Sequence, residues 1–155
     1  MGFSEPHAMK TPKFSIVSTE WREAEPSGKE MALHEETTNT ADNRHPFDLE
    51  ERTTRFGEAI VRFTKKIPRD PSNNRLIDQL VGCGTSVGAN YCEADEHVSK
   101  KDFRFTISRC VKEAKETRFF LRMIAASEPQ LAEEARRLYR EAKELHLIFA
   151  AIYRR

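Results

Sequence analysis

Three cysteines, five histidines and many charged side chains could carry chemistry in this chain, so their spacing is the first test. Cys83, Cys92 and Cys110 include no C-x-x-C pair, and His45, His97 and His146 are scattered. No zinc pattern results. Cys83 and Cys92 stand half a helical turn out of phase and so face opposite sides, while Cys83 and Cys110 are nearly equidistant from a turn near His97. Buried, reduced thiols are the expectation. Asn90, Glu93 and Glu96 lie across that turn from Lys100, Lys101 and Asp102. Paired acids can do general acid–base work, but lysines beside a tight turn point instead to a cap and a surface ion-pair network. No His–carboxylate–nucleophile arrangement is visible, so the sequence reads as non-enzymatic and implies no cofactor.

Two patterns remain. Gly82, Gly84 and Gly88 sit inside one helical segment, although each glycine there costs roughly 1 kcal/mol relative to alanine. No strand precedes them and no Gly-Lys-Ser/Thr follows, which excludes a phosphate-binding loop. Gly84-x-x-x-Gly88 places both on one face, so close approach of another backbone, in the same chain or a second subunit, is the reading. The other pattern is basic. Arg104, Arg109, Lys112, Lys115, Arg118 and Arg122 interleave with Glu113 and Glu116. Such alternation is ordinarily a solvated helix face; its functional reading is a stripe for nucleic acid, and these six are the candidates for that contact.

The elements that position these residues are helices. From Pro46 onward four apolar stripes repeat at three and four residues. Helices are expected at about 47–67, 71–94, 100–126 and 128–153. The first carries Leu49, Phe56, Ile60, Phe63 and Ile67, and the second Leu76, Leu80, Cys83, Val87 and Ala94. The third carries Phe103, Ile107, Cys110, Ala114, Thr117, Leu121 and Ile124. The fourth runs Leu131, Ala135, Leu138, Ala142, Leu145, Phe149 and Ile152, a heptad over three repeats. Asp70-Pro71, Ser99-Lys-Lys-Asp102 and Ser127-Glu-Pro-Gln130 are helix-start signals. Short connections make sequence neighbours antiparallel. The fold class is therefore all-α, an antiparallel up-down four-helix bundle over 46–155.

Residues 1–45 carry isolated apolar side chains and Pro6, Pro12 and Pro26, so they read as a flexible or disordered tail. Formal net charge is +1 over the 155 residues, but 1–45 carry −3 and 46–155 carry +4. The bundle is mildly basic. No stretch approaches the roughly 18 apolar residues of a membrane span, and no secretory signal opens the chain, so a cytoplasmic protein with no membrane partner is expected.

The stretch Thr85-Ser-Val-Gly-Ala-Asn-Tyr-Cys-Glu-Ala94, with Ser99-Lys-Lys-Asp-Phe103 and Lys112-Glu-Ala-Lys-Glu-Thr-Arg-Phe-Phe-Leu121, resembles the four helix bundle protein family, also called the 23S rRNA intervening-sequence protein family. The last-helix run Glu141-Ala-Lys-Glu-Leu-His-Leu-Ile-Phe-Ala-Ala-Ile152 is similar to it too. The resemblance covers roughly 47–155; the acidic Asp95-Glu96-His97 turn and Cys92 depart from the pattern. It implies bacterial origin, an up-down bundle, a homopentameric barrel, and kinship with the accessory variability determinant of diversity-generating retroelements, a partner of nucleic acid and a reverse transcriptase. Ser86, Asn90, Glu93, Ser99, Lys101, Asp102, Phe103, Glu113 and Glu116 match family positions and are taken as structural or interface positions.

Apolar residues beside the stripes point to self-assembly as well. Phe119 and Phe120 are about 100° apart on a helix and cannot both face one core, and Ile77 and Val81 form a second ridge. Ile77, Val81, Phe119, Phe120 and Met123 are the candidate oligomer interface. The leading reading is a non-catalytic oligomeric accessory or adaptor for RNA or an RNA-handling protein. The alternative is a helical protein-interaction module with no nucleic-acid contact.

Overall fold

The computed structural model describes residues 48–96 and 98–155. The chain divides into two units, Met1–Ala41 and Asp42–Arg155, and the described residues belong to the second. The expected tail lies outside them. Four helices follow in order: α1 Leu49–Thr64, α2 Pro71–Asp95, α3 Lys100–Ser127 and α4 Ala132–Arg154. Consecutive helices pack side by side, and α1 also touches α4. That closes an up-down-up-down bundle.

The helix ends follow local chemistry. Asp48 caps α1, accepting from the Glu51 amide at 3.0 Å. Asp70 caps α2, accepting from the Ser72 and Asn73 amides at 2.8 Å each, with Pro71 at the first position. α1 stops at Thr64 rather than running to 67. The last turn tightens through Lys66 N to Phe63 O and Ile67 N to Thr64 O, because a residue before proline is kept out of the helical region. Ser99 is the N-cap of α3 but makes no side-chain cap bond, so the expected capping box is not closed. Ser127 donates instead to Asn73 Oδ1 at 2.8 Å. Pro129–Leu131 form a 3-10 turn ahead of α4, which therefore begins at Ala132 rather than 128.

The core is one cluster from all four helices. Phe63, Ile60, Leu80, Ile107, Leu121, Ile124, Leu145 and Phe149 are fully buried. Every residue of the four expected stripes is buried or packed against this cluster. Six polar residues are buried beside it among the described residues, and Asn73 joins two turns. Asn73 Nδ2 donates to Pro68 O at 3.1 Å and to Glu128 Oε1 at 2.6 Å. With the Ser127 bond, it ties the α1–α2 turn to the α3–α4 turn, and its burial is compensated.

Ile77 requires a correction. Expected on an exposed ridge, it is 4% exposed and part of the core, because α2 lies between α1 and α3 and buries a wider face than one stripe. Val81, Phe120 and Met123 are half-buried, the first two packed against the core. Phe119 alone of the five is exposed, at 55%.

Cys83 and Cys110 are buried and Cys92 is exposed, on opposite sides as the spacing requires. Burial pushes the Cys83 thiol up, and that of Cys110 to about 12. Both hold their protons, and thiols, unlike thiolates, are inert to exchange. A disulfide reagent should therefore label Cys92 quickly at neutral pH and the other two only after denaturation. Rapid labelling of all three would contradict the burial. The raised Cys110 value also fixes a sign: its contribution to stability is whole below about pH 9, the ordinary thiol value, and is lost as pH rises towards about 12.

Candidate nucleic-acid interface

Three contacts along the edge of the α3–α4 pair mark its register. Arg104 Cζ lies 5.2 Å from the centre of the Tyr153 ring. His146 Nδ1 lies 3.3 Å from the Val111 carbonyl oxygen, a hydrogen bond in the tautomer protonated at Nδ1. Arg118 Nη2 donates to Tyr139 Oη at 2.9 Å, its Cζ 4.9 Å above the same ring. Each step of two turns along α3 meets two turns back along α4, as antiparallel heptad packing requires. Helical spacing then places Lys115 and Arg122 on the same flank of α3, and Arg136 and Lys143 on the facing flank of α4. The outer edge of this seam is a ladder of cations with Tyr139, His146 and Tyr153 between them.

Arg118 is the fixed rung. Its Nε is buried without a hydrogen-bond partner among the described residues, while Nη2 is held by the tyrosine. The residue is half-buried, its guanidinium held against the Tyr139 ring. At the far end Glu133 pairs with Arg136 at 3.3 Å and reaches Arg140 at 4.0 Å.

The six cations expected to act together do not share one face. Arg104, Lys115, Arg118 and Arg122 line the seam. Arg109 turns towards α2 and meets Glu93 at 3.5 Å. Lys112 lies 3.5 Å from Glu116 and 3.9 Å from Glu113. Burial, and then Glu116, raise the Glu113 carboxyl above its ordinary value. That flank is balanced by acids and offers little net field to a polyanion. Glu93 thus finds Arg109 as its partner, more than two turns further into α3 than Lys100 and Lys101. Asn90 is buried, with its Nδ2 unsatisfied among the described residues, so it is no surface cap. The α4 half of the ladder was absent from the sequence reading, since only the inter-helix register brings Arg136 and Lys143 to the α3 cations.

Elsewhere the charged contacts tie helices together. Arg52 grips Glu141 through Nε at 2.7 Å and Nη2 at 3.0 Å, and Lys66 meets both oxygens of Glu134 at 2.9 Å. These pairs fasten α1 to α4 in antiparallel order. Among the described residues no group of three or more His, Cys, Asp or Glu is placed to hold a metal ion, and no helix is long and apolar enough to cross a membrane.

A family model described as 23S rRNA-intervening sequence protein matches residues 47–151, which take in nearly the whole bundle. The chain belongs to that family. The resemblance carried by 85–94, 99–103 and 112–121 is borne out. Among solved structures, the chain is similar to a protein of unknown function from the S23 ribosomal protein family of Bacteroides thetaiotaomicron. The likeness covers 69% of this chain and 99% of that one, with a TM-score of 0.63 and 24% identity. At that identity it speaks for the shared fold. No curated protein matches the sequence.

Proposed function

We propose that the protein is a non-catalytic accessory factor, a self-assembling bundle that holds RNA along its α3–α4 seam. The observation that carries this reading is the ladder of cations and aromatic rings fixed by the Arg104–Tyr153, Val111–His146 and Arg118–Tyr139 contacts. Cations positioned along a groove neutralise phosphates, and neighbouring rings offer stacking surfaces. A family description that refers to 23S rRNA supports RNA as the polyanion. Self-assembly is supported by Phe119 and Leu147, 55% and 49% exposed, since large apolar side chains left in water usually mark a contact. A closed ring of five copies is the assembly the family resemblance implies.

Sedimentation of the full chain, alone and with a short RNA, tests both parts. Alone, the protein should sediment as a closed oligomer, and at low salt the RNA should join the protein boundary. A concentration-independent monomer would refute the assembly. An oligomer that leaves RNA behind at low salt would favour a protein-only interaction module.

A further inference from the structure

We infer that the end of the bundle formed by the start of α3 and the end of α4 is a stacking site for the unpaired bases of single-stranded RNA. A groove of about 910 Å³ opens there, with Lys100, Lys101, Arg104 and Arg155 around Phe105 and Tyr153. Phe105 is 66% exposed and Tyr153 41% exposed, two large rings presented to water within one cleft. The Arg104 guanidinium already stands over one face of Tyr153. Among the described residues, α1 does not reach this end of α4. Arg52 of α1 meets Glu141 of α4, and α1 begins only three residues earlier, at Leu49. Antiparallel packing puts Leu49 opposite about residue 144. Among the described residues, the last two turns or more of α4 have no α1 beside them.

The chemistry selects the occupant. A protein segment would satisfy the rings but not four clustered cations unless it were strongly acidic. A duplex would satisfy the cations but keeps its bases stacked inside, away from the rings. An unpaired strand satisfies both, with phosphates on the lysines and arginines and bases on Phe105 and Tyr153. The acidic residues of the neighbouring turn, Asp95 and Glu96, and Asp102 of α3 do not line the groove. This inference rests on the proposed RNA contact along the seam and adds to it a preference for unpaired nucleotides.

Fluorescence anisotropy of the full chain with a labelled oligouridylate, and with a blunt RNA duplex of equal length, tests it. Wild-type protein should bind the single strand more tightly. Phe105→Leu and Tyr153→Leu keep apolar bulk at exposed positions while removing the rings. Each should weaken single-strand binding roughly five- to tenfold, the low end of what one base–aromatic stack supplies, and Phe105→Leu, which touches none of the seam contacts, should leave duplex binding unchanged. Equal affinity for the two RNAs, unmoved by either substitution, would overturn the stacking site and leave the seam reading intact. Failure to bind either RNA at low salt would overturn both.

Discussion

Gly84→Val should destabilise the bundle by about 3 kcal/mol, at the upper end of the range for forcing extra carbon into a packed core, while Gly82→Ala should stabilise it by about 0.5–1 kcal/mol. The two glycines are two residues apart in one helix, and the opposite signs follow from what each faces. A Cβ on Gly84 would stand 2.9 Å from both Cγ1 and Cγ2 of Ile60. Ile60 is fully buried and β-branched, so its single favoured rotamer leaves it nowhere to turn. Gly57 and Gly88 lie at the same crossing. A Cβ on Gly88 would meet the Thr53 backbone carbonyl carbon at 3.4 Å, and one on Gly57 the Thr85 Cα at 3.7 Å. The α1 and α2 backbones thus run close together, and α2 needs glycine there. A Cβ on Gly82 meets nothing within 4 Å, so alanine adds helix propensity without a clash. Urea unfolding of both variants checks the pair. Equal and small shifts of the same sign would contradict the close α1–α2 crossing.

Much of this was legible in the residues, for reasons that differ by element. The Leu131–Ile152 heptad of α4 and the Gly84–Gly88 pair report packing directly, because apolar period and missing side chains are both responses to a neighbour. Asp70-Pro71 is local chemistry within one turn and reads equally well. Ile77 misled because a stripe drawn for one neighbour underestimates the face of a helix packed between two. Asn73 was silent: its partners Ser127 and Glu128 lie 54 and 55 residues away, and a lone asparagine in a polar run carries no periodic signal. The candidate site falls between these cases. The six α3 cations were visible, but which of them share a face with α4 depends on the hairpin register. That register passes through the 3-10 turn at Pro129–Leu131, which spacing did not foretell.

That register separates two sets of cations that look alike in the sequence. Arg104, Lys115 and Lys143 lie along the seam, whereas Arg109 and Lys112 lie on the flank beside Glu93, Glu113 and Glu116. Reversing the seam set to glutamate should weaken RNA binding on the order of a hundredfold at about 100 mM salt, because three phosphate contacts become repulsions. Reversing Arg109 and Lys112 should change it only a few-fold, because their field is already cancelled by neighbouring acids. Arg104 and Lys115 are exposed and Lys143 half-buried, so helicity should survive, as circular dichroism would report. The measurement that tests the account most directly is RNA affinity of wild type and both variants across about 50–200 mM salt. The seam variant should lose affinity and about two to three units of the log–log salt slope, at roughly 0.7–0.9 per contact, while the flank variant keeps the wild-type slope. Equal losses in the two variants, or a wild-type protein that binds no RNA at the lowest salt, would contradict the assignment of the α3–α4 seam as the RNA-contacting face.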